Sequence, residues 1–345
     1  PPSCHALSPR SDSWHQSVPP PCGRRGWPCQ GALVNTPATA PAAVMGPRDL
    51  LAALAVVVIW GVNFVAMKWG LRHFTPFQLG AARYLFAALP LVLFVRAPRV
   101  PWRWLVLFGL FQGVGQFGFG FFALRVGMTA ALASVLMQTQ VFFTALFAFA
   151  VLRERPGRPL VLGMALAAVG LVCFAMNFIG PAASAGEVTA LGVLLTLGAA
   201  ASWAVSNIVA RLAQASSPGY DPLAFVAWIS LVPILPFAAL SALFDADAAR
   251  WLHAEAWAGV PWLGWGAVAY LGWVATIVGY GLWTSLLTRF PANRVAPFSL
   301  GVPVVGLAAG LLVLGEVVTA WQWAGVACVV AALACVVLGP RWARR

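Results

Sequence analysis

Two basic side chains, Lys68 and Arg83, lie well inside long apolar stretches of the chain. The nine acidic residues, Asp12, Asp49, Glu154, Glu187, Asp221, Asp245, Asp247, Glu255 and Glu316, fall between such stretches or at their ends. A charged group in apolar surroundings is costly, about 2.5–3.5 kcal/mol on insertion scales, so it is a functional candidate by default. Two cations with no acid beside them want an anionic partner, and the carboxylate of a bound solute is the functional candidate. The structural alternative is that Lys68 snorkels to headgroups while Arg83 bonds helix-end carbonyls. On sequence both stand open.

Uncharged polar residues recur at the middle of the same stretches: Asn63, Gln112, Gln116, Gln138, Thr139, Gln140, Ser206, Asn207, Thr276 and Tyr280. Amides at helical spacing can line a polar cavity and bond a zwitterion. They can also simply bond neighbouring helices, each worth about 0.6 kcal/mol. Asn63, Gln116, Gln138, Asn207 and Tyr280 are taken as cavity candidates. Trp102, Trp104, Trp262, Trp321 and Trp342 read as interfacial belt residues, whereas Trp60, Trp203 and Trp283 lie deeper and can face a solute.

Other chemistry is poorly supported. There is no G-x-S-x-G, no H-E-x-x-H and no pair of buried carboxylates, so no catalytic residues are assigned. The cysteines, Cys4, Cys22, Cys29, Cys173, Cys328 and Cys335, form no C-x-x-C pair and have no histidine cluster, so no metal site is expected. Gly113-x-Gly115-x-x-Gly118-x-Gly120 imitates a dinucleotide loop, but no strand precedes it, and close helix packing is the better reading. No cofactor is expected.

The elements that must carry these residues follow from composition. Of 345 residues 61% are hydrophobic and 9% charged, with a mean hydropathy of +0.85. A soluble domain carries roughly 25% charged residues, so the solvent for this chain is a lipid bilayer. Apolar runs of membrane-crossing length recur near 50–70, 77–95, 102–124, 128–151, 159–177, 189–212, 222–243, 261–287, 294–314 and 320–339. In lipid an open sheet edge would leave backbone groups unpaired, so the runs are helices and the fold is all-α. The formal charge of +12 is dispersed in the gaps between runs, which argues for topology signals and against nucleic-acid binding. Residues 1–44 are Pro- and Ser-rich and read as a disordered extension, a candidate for sequence upstream of a native start at Met45.

With a cytoplasmic N-terminus, the inner gaps hold Arg48, Arg96, Arg99, Arg103, Arg153, Arg155, Arg158, Arg211, Arg289, Arg294, Arg341, Arg344 and Arg345. The outer gaps hold only Arg72, Arg125 and Arg250. That bias places both termini in the cytoplasm. An internal repeat is also visible. Trp60-Gly61-Val62 through Lys68 aligns with Trp203-Ala204-Val205 through Arg211, and Glu154 and Gly163 align with Glu316 and Gly325. Five spans per copy is odd, so the copies insert with opposite orientation, the inverted-repeat architecture of secondary transporters with a site near the midplane. The expected organisation is thus ten transmembrane helices in two inverted repeats, 45–178 and 179–341, followed by a cytoplasmic tail at 342–345. In the ninth helix Pro297, Gly301 and Pro303 can loosen the backbone hydrogen bonding, as a moving helix needs.

The stretch Val58-Ile-Trp-Gly-Val-Asn-Phe-Val-Ala-Met-Lys68 resembles the first helix of EamA-type transporters of the drug/metabolite transporter superfamily. Ala275-Thr-Ile-Val-Gly-Tyr-Gly-Leu-Trp283 and Arg294-Val-Ala-Pro-Phe-Ser-Leu-Gly-Val-Pro-Val-Val-Gly-Leu307 resemble closing segments of the O-acetylserine/cysteine exporter branch. The resemblance covers about Met45 to Arg341 and matches at Trp60, Asn63, Lys68, Arg83, Tyr280, Trp283, Arg294, Pro297 and Pro303. It implies a ten-helix inverted-repeat fold with peripheral helices 5 and 10, and efflux of cysteine-pathway metabolites across the bacterial inner membrane. Protons are a separate candidate for the coupling ion, and no titrating group for them is evident in the sequence. The expected partners are therefore lipid and a small metabolite. The alternatives are export of another small organic solute or drug, or a channel or sensor. A channel should show a continuous polar ring and a sensor an appended soluble domain, and neither is evident.

Overall fold

The computed structural model describes residues 45–153, 157–176, 188–246, 248, 253–290 and 295–342. The extension at 1–44, Glu154 of the repeat, Arg294 and the last three residues of the tail lie outside them. Among the described residues every regular element is a helix. We label the longer ones α1 (Pro47–Gly70), α2 (Pro76–Val92), α3 (Trp102–Arg125), α4 (Ala130–Val151), α5 (Arg158–Met176), α6 (Ala190–Ser216), α7 (Pro222–Phe244), α8 (Trp262–Leu287), α9 (a 3₁₀ turn at Ala296–Leu300 continuing as Gly301–Leu314) and α10 (Ala320–Trp342); a short helix, Ala254–Ala258, lies between α7 and α8. Each apolar run thus coincides with a helix. Seven of these (α1, α3, α4, α5, α6, α7 and α8) are long and apolar enough to cross a membrane, and α9 and α10 carry the shorter apolar segments Phe298–Leu314 and Ala320–Val336. The 17 residues of α2, with Pro90 inside, rise about 26 Å.

The helix starts are written in the sequence. Thr75 and Gln78 form a reciprocal capping box on α2, with Pro76 in the first turn. Thr129 caps α4, Thr189 caps α6, and Asp221 caps α7 ahead of Pro222. Thr319 and Gln322 repeat the box at α10.

Packing joins the two halves of the chain. α1 packs on α8 and α9, α6 on α3 and α4, α2 on α7 and α8, and α5 on α10. Glycines set the closest approaches. A Cβ at Gly61 would lie 2.6 Å from Val305, and one at Gly301 2.7 Å from Val57. Residues 57 and 61 thus face 301 and 305 in the same order, so α1 and α9 run parallel. Two helices widen into π-helix at mid-length, α3 over Gly109–Phe117 and α8 over Tyr270–Val278, while α4 passes through a 3₁₀ turn at Met137–Thr139 and α7 is interrupted by turns between Ile229 and Ile234.

α9 ends on Gly315 in the left-handed region, φ 66°, and α4 ends the same way on Arg153, φ 58°. The next residue after Gly315 is Glu316, which lies between helices as expected but is only 8% exposed. Its carboxylate accepts from the backbone N–H groups of Ala130, 2.7 Å, and Ala131, 2.8 Å. It therefore satisfies the orphan donors at the start of α4 and compensates the positive helix end. This ties the end of α9 to the beginning of α4.

Removing that carboxylate leaves two buried donors without an acceptor, a penalty of about 1–3 kcal/mol. Glu316→Ala is expected to melt well below wild type in detergent, with Glu316→Gln, which keeps one acceptor oxygen, in between. Equal melting of all three would refute the clamp.

Candidate functional site

A cavity of about 320 Å³ opens between α1, α2, α3, α4, α6, α8 and α9. Its size lies within the ~300–1,000 Å³ of small-molecule sites. The wall includes Trp60, Asn63, Arg83, Gln116, Gln138, Trp203, Asn207, Tyr280 and Trp283. Nine of the ten residues expected from sequence to meet a solute therefore share one space. The tenth, Lys68, is half-buried next to the wall residue Met67 but is not itself part of the wall.

Arg83 is the charged member of this wall. It is only 2% exposed, and its Nη2 donates to Thr276 Oγ1 at 3.2 Å. The guanidinium carbon lies 3.5 Å from the centroid of the Phe117 ring, a cation–π contact. Nε and Nη1 are buried and meet no acceptor among the described residues. The local backbone explains how Arg83 arrives here. A Cβ at Gly272 would lie 2.9 Å from the Arg83 carbonyl oxygen and 2.6 Å from the Phe86 side chain, so only glycine lets α8 come this close to α2. The π-helical stretch of α8 then lets the Thr276 hydroxyl donate back to Leu271 O, 2.8 Å, five residues earlier. Its oxygen remains available to Arg83.

The amides divide between wall and support. Asn63 donates through Nδ2 to Met67 Sδ, 3.4 Å, and its Oδ1 has no donor among the described residues. Gln112, behind the wall, donates through Nε2 to Gln116 Oε1 and to the Tyr280 hydroxyl at 3.3 Å, and accepts from Ser206 Oγ. It holds Gln116 and Tyr280 in place from the two halves of the chain. Gln138 donates to Ser299 O, 3.3 Å, and Asn207 donates to Gln140 Oε1, 2.9 Å, and Thr144 Oγ1, 3.2 Å. The tryptophans are fixed as well. Trp60 Nε1 donates to Ala275 O at 3.1 Å, and its ring meets Tyr280 and Trp283 at centroid distances of 5.2 and 5.5 Å.

The residues expected to give α9 flexibility flank the cavity. Pro297 lies in the opening 3₁₀ turn, Gly301 begins the α-helical part, and Pro303 is buried with its carbonyl accepting from Ser134 Oγ at 3.4 Å. Sequence reasoning passed over Phe117, Met67, Met137 and Gly120, which also form the wall. Aromatic, aliphatic and glycine residues fill every apolar run, so no local signal separates these from packing residues. No carboxylate lines the cavity among the described residues. None of these residues forms a cluster of three or more His, Cys, Asp or Glu side chains able to hold a metal ion.

The sequence profile of the EamA-like transporter family matches residues 48–176 and again residues 190–338. A probable amino-acid metabolite efflux pump of Salmonella typhimurium is 40% identical over 298 residues, 86% of this chain and 97% of its own. A protein of the same description in Escherichia coli is 38% identical over the same shares. A crystal structure with 21% sequence identity superposes with a TM-score of 0.55, over 86% of this chain and 99% of that one, a likeness of fold alone.

A buried guanidinium with two unmet donors costs stability. Replacing buried ionic groups with apolar groups of similar volume has raised stability by about 1–4 kcal/mol elsewhere. Arg83→Met is accordingly expected to melt above wild type in detergent without added solute. A lower melting temperature would mean that the Thr276 and Phe117 contacts already compensate the charge.

Proposed function

The chain belongs to the EamA-like transporter family, and from that premise we propose that it exports small amino-acid-like metabolites, of the cysteine and O-acetylserine type, by alternating access. The observation that carries this reading is Arg83, buried on the cavity wall with two donors unmet and no acid beside it. A carboxylate there gains charge-assisted, bidentate hydrogen bonds in surroundings where they are strong. The solute's ammonium group meets the Oδ1 of Asn63 and the faces of Trp60, Tyr280 and Trp283, a neutral environment suited to a zwitterion. A wall without a carboxylate has no group for which a cationic drug and a proton could compete, so an anionic or zwitterionic cargo is favoured. The names of the Salmonella and Escherichia relatives agree with an amino-acid metabolite as cargo.

In this reading the multi-pass chain lies in the bacterial inner membrane with both termini in the cytoplasm. Its ten helices form two inverted repeats, 45–178 and 179–341, with protons as the candidate coupling ion. Three observations support the repeat: the twofold match of the family profile, the nine-residue π-helical stretches of α3 and α8, and the left-handed ends of α4 and α9. Each half supplies part of the wall, so rocking one against the other would expose the solute to alternate sides. Pro297, Gly301 and Pro303 would absorb part of that motion in α9. Transport then requires only that the solute bind the two states with different strength as its contacts are remade.

The test is uptake of labelled cysteine and O-acetylserine into everted membrane vesicles. Hydrogen bonds to a charged group are worth about 1.5–3 kcal/mol, so Arg83→Gln should lose about ten- to hundredfold in kcat/KM. Arg83→Lys, which keeps the charge but not the fork, should retain more. Uptake unchanged in Arg83→Gln would remove Arg83 from the binding site. Failure of well-expressed wild type to take up either compound would overturn the assigned cargo.

A further inference from the structure

We propose that Gly120 sets the size of the side chain that the cavity accepts, by keeping open an apolar end that takes an amino-acid side chain larger than that of cysteine. The inference rests on the reading of the cavity as an amino-acid site. Gly120 is the one glycine among the residues that line it.

Neither usual reason for a glycine applies at this position. Its backbone is ordinary helix within Gly118–Arg125, and the positive-φ glycines among the described residues are Gly127, Gly219 and Gly315. Nor is it needed for close packing. A Cβ built on Gly120 meets just one atom, Met67 Cε, at 3.6 Å, an ordinary contact with the end of a flexible side chain. At Gly61, Gly80 or Gly272 a Cβ would fall under 3.0 Å from a neighbouring element. Glycine weakens a helix, and of the helical glycines whose Cβ would meet ordinary contact or nothing (Gly118, Gly120, Gly198, Gly266 and Gly281), Gly120 is the one that lines the cavity.

That space is apolar. Leu124 lies one turn further along α3, Met67 faces Gly120 from α1, and Ala133 and Met137 of α4 continue the wall. These side chains offer no strong donor or acceptor, in contrast to the wall around Arg83, Asn63 and Gln116. A solute held by its carboxylate at Arg83 would therefore direct an apolar side chain at this end. The volume supports more than a thiol-bearing CH₂. The cavity measures about 320 Å³. The unbranched Met67 and Met137 can adapt to side chains of different shape. A methyl or isopropyl group at position 120 would fill the space from the α3 side.

The experiment measures uptake of labelled cysteine, O-acetylserine, leucine and phenylalanine into everted vesicles carrying wild type, Gly120→Ala or Gly120→Val. Wild type is expected to transport leucine and phenylalanine at least as well as cysteine. A misfit of a methylene or more in an apolar pocket changes discrimination by about tenfold or more. The KM for phenylalanine and leucine should therefore rise stepwise from wild type to Ala to Val, while that for cysteine stays within about twofold. Gly120→Ala should melt no lower than wild type, which separates loss of space from loss of fold. Equal changes for all four compounds, or no change in either variant, would overturn the role of Gly120 and leave the exporter reading intact. Transport of cysteine but of neither larger amino acid by wild type would overturn the apolar-end assignment. Transport of none of the four would overturn the exporter reading and this inference together.

Discussion

Every backbone amide of a chain in lipid must find its partner within the protein, and the architecture here follows from that requirement. Regular helices meet it without help. Where α3 and α8 widen into π-helical turns, the carbonyl ladder is disturbed and side chains become its partners. Thr276 bonds Leu271 O, and Trp60 reaches across from α1 to Ala275 O. Tyr270 returns the contact by donating to Ile59 O at 2.7 Å. Both π-helical stretches carry residues of the cavity wall, Gln116 and Phe117 on α3 and Ala275 on α8. The same bonds that complete the backbone also orient the tryptophan and threonine on which the site relies.

A second constraint is the burial of Arg83 without a resident acid. In most folded proteins a buried cation is paired, because the unpaired charge is expensive. Here the charge is held by one hydroxyl and one aromatic face, and Nε and Nη1 meet no acceptor among the described residues. In the proposed reading such a site trades stability for affinity toward an anion. That trade is a reasonable one for a transporter, which needs a solute to alter the balance between its states.

Much of this was legible in the sequence, for identifiable reasons. The helices were visible because apolar runs of crossing length have few other readings, and Thr75, Thr129, Thr189 and Asp221 mark their beginnings. Arg83, Asn63, Gln116 and Tyr280 stood out because polar groups are rare in such runs. Lys68 stood out equally but is not part of the cavity wall, since position along a helix does not tell which way a side chain faces. Glu316 appeared as a loop residue because its donors, at Ala130 and Ala131, are remote in sequence. Gly120 was hidden among glycines that serve packing. The π-helical stretches have no signature in residue type, because they are set by how neighbouring helices meet.

The parallel course of α1 and α9 places two interhelical ties at opposite ends of the molecule. At one end Arg289 and Asp49 form an ion pair, 2.6 Å, with their side chains 51% and 15% exposed. At the other, Glu316 is buried on backbone amides. Salt screens exposed charges over a Debye length of about 8 Å at physiological ionic strength, and buried groups much less. The two ends of the bundle therefore differ in their sensitivity to the medium: the end of α1 near Asp49 loosens as ionic strength rises, while the end near Glu316 holds. Were the halves to rock as proposed, the balance between conformations open to one face or the other would carry a dependence on salt, independent of any solute.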